Sequence, residues 1–401
     1  MESRTGSKLP LFAIEALGSL ATGFYGNFVF FRFRNDYGFG DLENLLSAAL
    51  MGLVVALASW WGGKIAQRHG CFRCIAFGLV GLVLSLLTGF SFPQLPLQLL
   101  VLVTWTASQF VIWPALEALV TDGCVGNGRA RIVGIYSVVW ATCSALSYFF
   151  GGALFDRLGS LSIYWLPPFF HVVQLIIVWR AARNWRAAEQ GTTEEPLTGA
   201  PDPREGQPSP RVFQKLAWIA NPFACVAAFT LLALIPALSA RLGLSVTEAG
   251  AFGSIWFFAR LTAFAALWKW QGWHYRFGWL LAAYLLLMAG FFVTLTSGSL
   301  MWLAAGQIVF GLAVGMLYYS SLFYSMDVGE SRAEQGGIHE AMMGAGNLIG
   351  PGVGALGLTV APQFPNAGVW TVSGLLSVGL ALLLAIRKSS GRTADSSDPA
   401  S

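Results

Sequence analysis

Twelve long apolar runs, each ended by charges, proline or glycine, alternate with short polar stretches along the chain. They fall at roughly 9 to 31, 42 to 62, 74 to 92, 97 to 121, 132 to 154, 161 to 179, 213 to 238, 247 to 268, 277 to 297, 299 to 325, 337 to 360 and 367 to 386. Each is close to the ~20 residues an α-helix needs to cross the hydrocarbon core of a bilayer. The pattern predicts an all-α membrane protein with twelve transmembrane helices. The first run follows only Met1 to Lys8 and could imitate a secretory signal, but Glu15 interrupts it and no small-residue cleavage pattern follows, so it reads as a retained span.

One polar stretch is longer than the rest. Residues 187 to 212 are rich in Pro, Gly and Glu and cannot bury enough apolar surface to fold alone, which predicts a linker. It divides the chain into six spans (1–186) and six more (213–388), with a tail at 389–401. A weak internal repeat fits this division: Gly134-Ile135 aligns with Gly337-Ile338 at an offset of 203, Gly151 then falls on Gly354, and Glu117 on Ser320. Two six-helix bundles related by a parallel repeat, with the substrate near midplane between them, are a standard architecture of secondary transporters.

Composition removes the alternatives to a membrane protein. Hydrophobic residues are 55% of the 401 and charged residues only 11%, against roughly a quarter in ordinary soluble domains. The net charge of +4 is scattered and does not point to nucleic acid. Its distribution follows topology instead. With both termini inside, 19 of the 24 Lys and Arg residues fall on the cytoplasmic side, four (Arg32, Arg34, Arg157, Arg241) fall outside, and Arg260 alone lies within a span. Trp60, Trp61, Trp165, Trp179 and Trp273, near span ends, read as interfacial anchors. All five cysteines fall in spans or on the cytoplasmic side, so no disulfide is expected; the Cys71-x-x-Cys74 pair lacks the second pair or histidines of a zinc site.

The loop after the second span reads Gly63-Lys64-Ile65-Ala66-Gln67-Arg68-His69-Gly70-Cys71-Phe72-Arg73. It resembles the loop signature of the major facilitator superfamily, G-x-x-x-[DN]-R-x-G-R-[RK], with Gly63, Arg68 and Gly70 at the right spacing and Arg73 as the trailing charge. Gln67 stands where the family usually has an acid and Cys71 where it has a base. The resemblance implies a loop that closes the cytoplasmic side, here through Arg68, helix ends and Asp122. Gly151-Gly152-Ala153-Leu154-Phe155-Asp156 resembles a second family element, G-G-x-L-x-D, without the usual preceding G-P. On the eleventh span Gly346, Gly350 and Gly354, with Pro351 among them, form G-x-x-x-G steps that read as close helix packing or as a hinge.

Charged groups inside spans carry the functional information, because a charge at the bilayer centre costs at least ~2.5–3.5 kcal/mol. Glu15 leads a polar row with Ser19, Thr22 and Gly26; Glu117 ends a row through Gln109 and Trp113. The resemblance implies that the first, fourth, seventh and tenth helices line the central cavity, which makes both glutamates candidates for substrate binding or proton coupling, with hydration or closing contacts near the cytoplasmic end as the alternative. Arg260, flanked by Trp256, Phe257, Phe258 and Phe264, suits an anionic substrate or a buried carboxylate partner. Glu340 at the start of the eleventh span reads first as a helix-dipole cap, and His339 beside it as a proton carrier or an exposed loop residue. His171, after Pro167-Pro168, reads as a hydrogen bonder at a kink. Gln307, Gly311, Gly315 and Tyr318 share a face of the tenth span, and Asn347 and Asn221 add amides suited to a small organic solute.

The expectation is a multi-pass protein of the cell (inner) membrane with cytoplasmic termini, monomeric, moving a small organic solute by alternating access. Proton coupling is favoured by the carboxylates on cavity helices. The alternatives are a uniporter of the same fold or, further off, a non-transporting scaffold. No P-loop points to ATP, no cofactor or metal is expected, and scattered histidines argue against a membrane enzyme.

Overall fold

The computed structural model describes residues 8–124, 126–189, 210–328, 332–364 and 366–395, and every apolar run is helical. The spans are α1 (Leu9–Tyr37), α2 (Asp41–His69), α3 (Cys71–Ser91), α4 (Leu95–Thr121), α5 (Gly126–Leu158), α6 (Ser162–Trp165 continued as Pro167–Glu189), α7 (Pro210–Arg241), α8 (Val246–Gly253 continued as Ile255–Lys269), α9 (Phe277–Thr296), α10 (Leu300–Val328), α11 (Arg332–Val360) and α12 (Ala367–Asp395). All twelve are long and apolar enough to cross a membrane. Among the described residues there is no strand. The break in α6 comes where Pro167 and Pro168 remove two backbone donors in succession.

Several helices outrun their apolar runs. α1 continues to Tyr37 because Arg32, though buried, is balanced by Asp36 one turn on (3.0 Å) and by the Ser160 hydroxyl (3.0 Å). α12 continues into the predicted tail as far as Asp395, and α6 and α7 take in the edges of the predicted linker at Glu189 and Pro210. The rest of that linker, Met1 to Ser7 and the last six residues lie outside the described residues. Trp273 is fully buried against Tyr319, Phe323 and Tyr324 and donates to the Leu267 carbonyl (3.2 Å), so it packs a loop rather than anchoring at an interface. Trp60, Trp61 and Trp179 are exposed.

The halves α1–α6 and α7–α12 meet along two seams, α2 against α11 and α5 against α8. Both are built from small residues. A Cβ on Gly52 would strike the backbone of Asn347 and Leu348, one on Gly344 the backbone of Val55 and Ala56, and one on Gly337 would lie 2.8 Å from the Ser59 carbonyl. Gly337 also abuts Gly63, the first glycine of the loop signature. In the other seam Gly134 admits the Trp268 ring, and Gly152 and Gly250 bring two backbones together. Gly134 and Gly337, paired by the repeat, thus serve equivalent seams.

Polar contacts close the ends. At the face where α1 begins, called here the basic face, the buried Lys8 ammonium donates to the carbonyls of Val120 and Asp122 (2.7 Å each), completing the C-terminus of α4. Arg68 and Arg73 are both exposed. Gly70 has φ +91°, a conformation that favours glycine, and turns the chain between α2 and α3. At the opposite face Asp156, from the G-G-x-L-x-D element, accepts from the Thr247 amide (2.8 Å) and hydroxyl (2.6 Å), tying α5 to the start of α8 across the two halves.

Gly346 and Gly350 let α11 touch the α7 backbone at Pro222 and Val226, which is close packing. Gly354 has room for a Cβ, its nearest neighbours being Leu45 and Val372 at 3.4–3.5 Å. Pro351 sits within the continuous α11.

Candidate substrate cavity

Between the halves lies a cavity of about 200 Å³ to which α1, α2, α4, α5, α7, α8, α10 and α11 all contribute. Its lining is mostly aromatic and aliphatic, with a few polar groups from facing helices, the usual make-up of a small-molecule site. The rows read from the sequence face it: Ser19, Thr22 and Gly26 on α1, and Gln109, Trp113 and Glu117 on α4.

Two carboxylates line the cavity, Glu117 and Glu340, both buried. Glu15 lies just behind the lining. It accepts from the Ser19 hydroxyl (2.6 Å) and the Tyr136 hydroxyl (2.8 Å), and those two donors form the wall between it and the cavity. Glu15, Glu117 and Glu340 lie within electrostatic reach of one another. None forms an ion pair with a described residue, and Glu340 Oε2 has no hydrogen-bond partner. Behind Glu15 a water-sized void also touches His171, whose Nδ1 meets Gln174 Oε1 (2.8 Å) while Gln174 Nε2 donates to the Ile14 carbonyl (2.7 Å).

Among the described residues Arg260 is the single cation lining the cavity. Its guanidinium carbon stands 4.3 Å from the Trp140 ring centre, 4.9 Å from Phe257 and 5.2 Å from Trp256. Among the described residues no carboxylate pairs with it, and Nε and Nη2 are buried without acceptors. Trp140 belongs to the first half and Arg260 to the second, so this contact also spans the seam. Tyr318 stacks on Trp140 at 5.1 Å and extends the aromatic wall.

The chain matches the model of the Major Facilitator Superfamily over residues 11–351. It belongs to that superfamily. Among solved structures it is similar to the human organic anion transporter MFSD10 (TETRAN), with 16% identity, a TM-score of 0.65, and coverage of 96% of this chain and 100% of that one. It is equally similar to a bacterial homolog of the human lysosomal transporter Spinster in an inward-facing, unoccupied conformation, with 17% identity, a TM-score of 0.65 and 98% coverage of both chains. At such identities these likenesses show the fold alone. No curated protein matches the chain by sequence. Membership makes this a multi-pass membrane transporter of two six-helix bundles.

Against that fold the sequence-predicted residues divide. Gln109, Glu117, Arg260, Tyr318, Glu340, Asn347 and Asn221 line the cavity. Glu340 is not a first-turn cap, because α11 starts at Arg332 and carries it two turns into the helix. His339 is buried rather than exposed in a loop; it packs edge-on against Tyr318 and meets the Ser321 hydroxyl at 3.4 Å, off the cavity. Gln307 faces a separate water-sized void with Thr294, since its row through Gly311 and Gly315 packs on α8. Tyr136 and Trp140 went unread. They form a row on α5 with Ser144, four residues apart, the same signal that exposed the α4 row.

Proposed function

We propose that this superfamily member is a proton-coupled secondary transporter of a small organic solute. Its two bundles, residues 1–186 and 213–388, rock against each other, with the basic face, both termini and the linker in the cytoplasm of a cell-membrane protein acting as a monomer. The cytoplasmic assignment rests on the strong bias of Lys and Arg toward that face.

The observation that carries the coupling is the carboxylate cluster: Glu117 and Glu340 on the cavity and Glu15 behind it, all buried and none ion-paired. Unpaired buried charge is expensive, and a carboxylate relieves that expense by taking a proton. A cavity that alternately hydrates and dries therefore offers sites that load protons on one side and release them on the other. Glu117 is the better coupling residue of the first half. It faces the cavity directly, whereas Glu15 is screened from it by Ser19 and Tyr136. Gating at the basic face is assigned to Lys8 at the α4 end together with the loop carrying Arg68.

Purified protein in liposomes, offered a panel of labelled organic solutes, should accumulate at least one above its external concentration when an inward proton gradient is imposed. Equilibration without accumulation would leave a uniporter. No flux of any solute would leave a scaffold.

A further inference from the structure

Given that the cavity is the transport site, we infer that its solute is an organic monoanion with a flat apolar body, its charged head held by Arg260. The guanidinium lines the cavity and has no carboxylate partner among the described residues. Its carbon atom lies over the rings of Trp140, Trp256 and Phe257. Cation–π attraction steadies the group but supplies no hydrogen-bond acceptor. Two of the three nitrogens, Nε and Nη2, are buried without an acceptor, on a residue only 6% exposed. The Nε–Nη2 edge is the side from which arginine grips a carboxylate or sulfonate through two parallel hydrogen bonds. An occupant with such a head would satisfy both donors and neutralise the charge at once, which a neutral amide or an amine cannot do.

The walls set the rest of the molecule. Trp140 and Tyr318 stack at 5.1 Å on the cavity wall with Phe264 packed 5.8 Å from each, and Trp256 and Phe257 add rings beside the arginine. A planar apolar body fits this surface at little entropic expense. The charge is limited to one. Tyr318 on α10, Cys225 on α7, Glu340 on α11 and Glu117 on α4 line the same cavity as Arg260. Glu15 and Tyr136 lie one turn below Trp140 along α5. A second negative charge on the solute would therefore face carboxylates instead of a cation.

The same arrangement links anion to proton. Adding an anion to a cavity with one cation and nearby carboxylates is easier when a carboxylate is protonated, and by reciprocity the bound anion favours that protonation. The solute and the proton then travel in the same direction.

Matched probes test this on the intact chain in detergent. Binding is followed by tryptophan fluorescence and calorimetry for benzoate, benzenesulfonate and 2-naphthalenesulfonate, each beside its neutral amide, and for 1,3-benzenedisulfonate. At least one monoanion should bind about 10-fold or more tightly than its amide and than the dianion, in line with a charge-assisted pair. Arg260→Gln should remove that preference while the amides are unaffected. If every acid and amide bind alike, or if Arg260→Gln keeps the preference, the inference is overturned; because the wild-type series needs no variant, misfolding of Arg260→Gln cannot hide the answer. Calorimetry in buffers of different ionisation enthalpy separates the two readings. Monoanion preference without proton uptake upholds the anion site and removes the proton coupling, whereas proton uptake on binding of an amide would uphold coupling and remove the anion site.

Discussion

Glu15 and Arg260 are both buried charged groups, and they reach the same helix one turn apart, Glu15 at Tyr136 and Arg260 at Trp140 of α5. They are held in opposite ways. Glu15 has two hydroxyl donors from its own half and a wall between it and the cavity. Arg260 lies among aromatic rings, with Nε and Nη2 buried without acceptors and no counter-charge among the described residues. A buried charged group whose hydrogen bonds are met costs the empty protein less than one left unmet, and the unmet one gains more from an occupant that supplies the partner. Glu117 and Glu340 fall with Arg260, on the cavity and unpaired.

Breaking each side of this contrast should give different signatures. Arg260→Gln should have the largest functional effect, lowering uptake of an aromatic monoanion by about 10- to 100-fold, since a charge-assisted hydrogen bond contributes about 1.5–3 kcal/mol, while thermal stability is unchanged or improved by removing an unsatisfied charge. Radiolabelled uptake beside a melting curve reads both. A large loss of stability with intact uptake would reverse the assignment.

Tyr136→Phe should do the converse, costing about 1 kcal/mol or more of stability by leaving Glu15 with one donor, and slowing turnover only several-fold. Ser19→Ala should be milder in the same sense. If Tyr136→Phe abolishes binding without destabilising the protein, Tyr136 belongs to the solute site.

The smallest effect is expected away from the cavity. Asp156→Asn keeps a hydrogen-bond acceptor for Thr247 but loses the negative charge at the start of α8, worth about 0.3–1 kcal/mol. It should raise labelling of a Leu232→Cys probe, on the α7 wall of the cavity, from the opposite face by about two- to five-fold in an otherwise cysteine-free chain. Unchanged labelling would mean that the Asp156 contact does not help close that face.

The spans were legible because a bilayer demands ~20 apolar residues whatever else a helix does. Site residues on α4 and α10 were legible in part. The Gln109, Trp113, Glu117 row faces the cavity, but the similar row from Gln307 to Gly315 packs on α8, and spacing alone does not say which neighbour a row meets. Tyr136 and Trp140 have the same four-residue spacing but lie on the fifth helix, outside the first, fourth, seventh and tenth helices that the family resemblance assigns to the cavity. Glu340 was misplaced because its helix begins at Arg332, within a polar stretch that hydropathy assigns to a loop. Lys8 as the partner of the α4 carbonyls could not be read at all, since it depends on a contact across more than a hundred residues.

The central claim is that the cavity carboxylates couple solute movement to protons, and Glu117 is where it is most exposed to test. Liposomes holding the protein and a trapped pH indicator are given an inward gradient of 2-naphthalenesulfonate with no pH gradient; this strong acid does not carry protons across lipid by itself. The wild type should take up the anion and acidify the interior together. Glu117→Gln, which keeps volume and hydrogen bonding but cannot titrate, should exchange the anion without a pH change. Anion entry with no acidification by the wild type, or unchanged acidification by Glu117→Gln, would contradict the account.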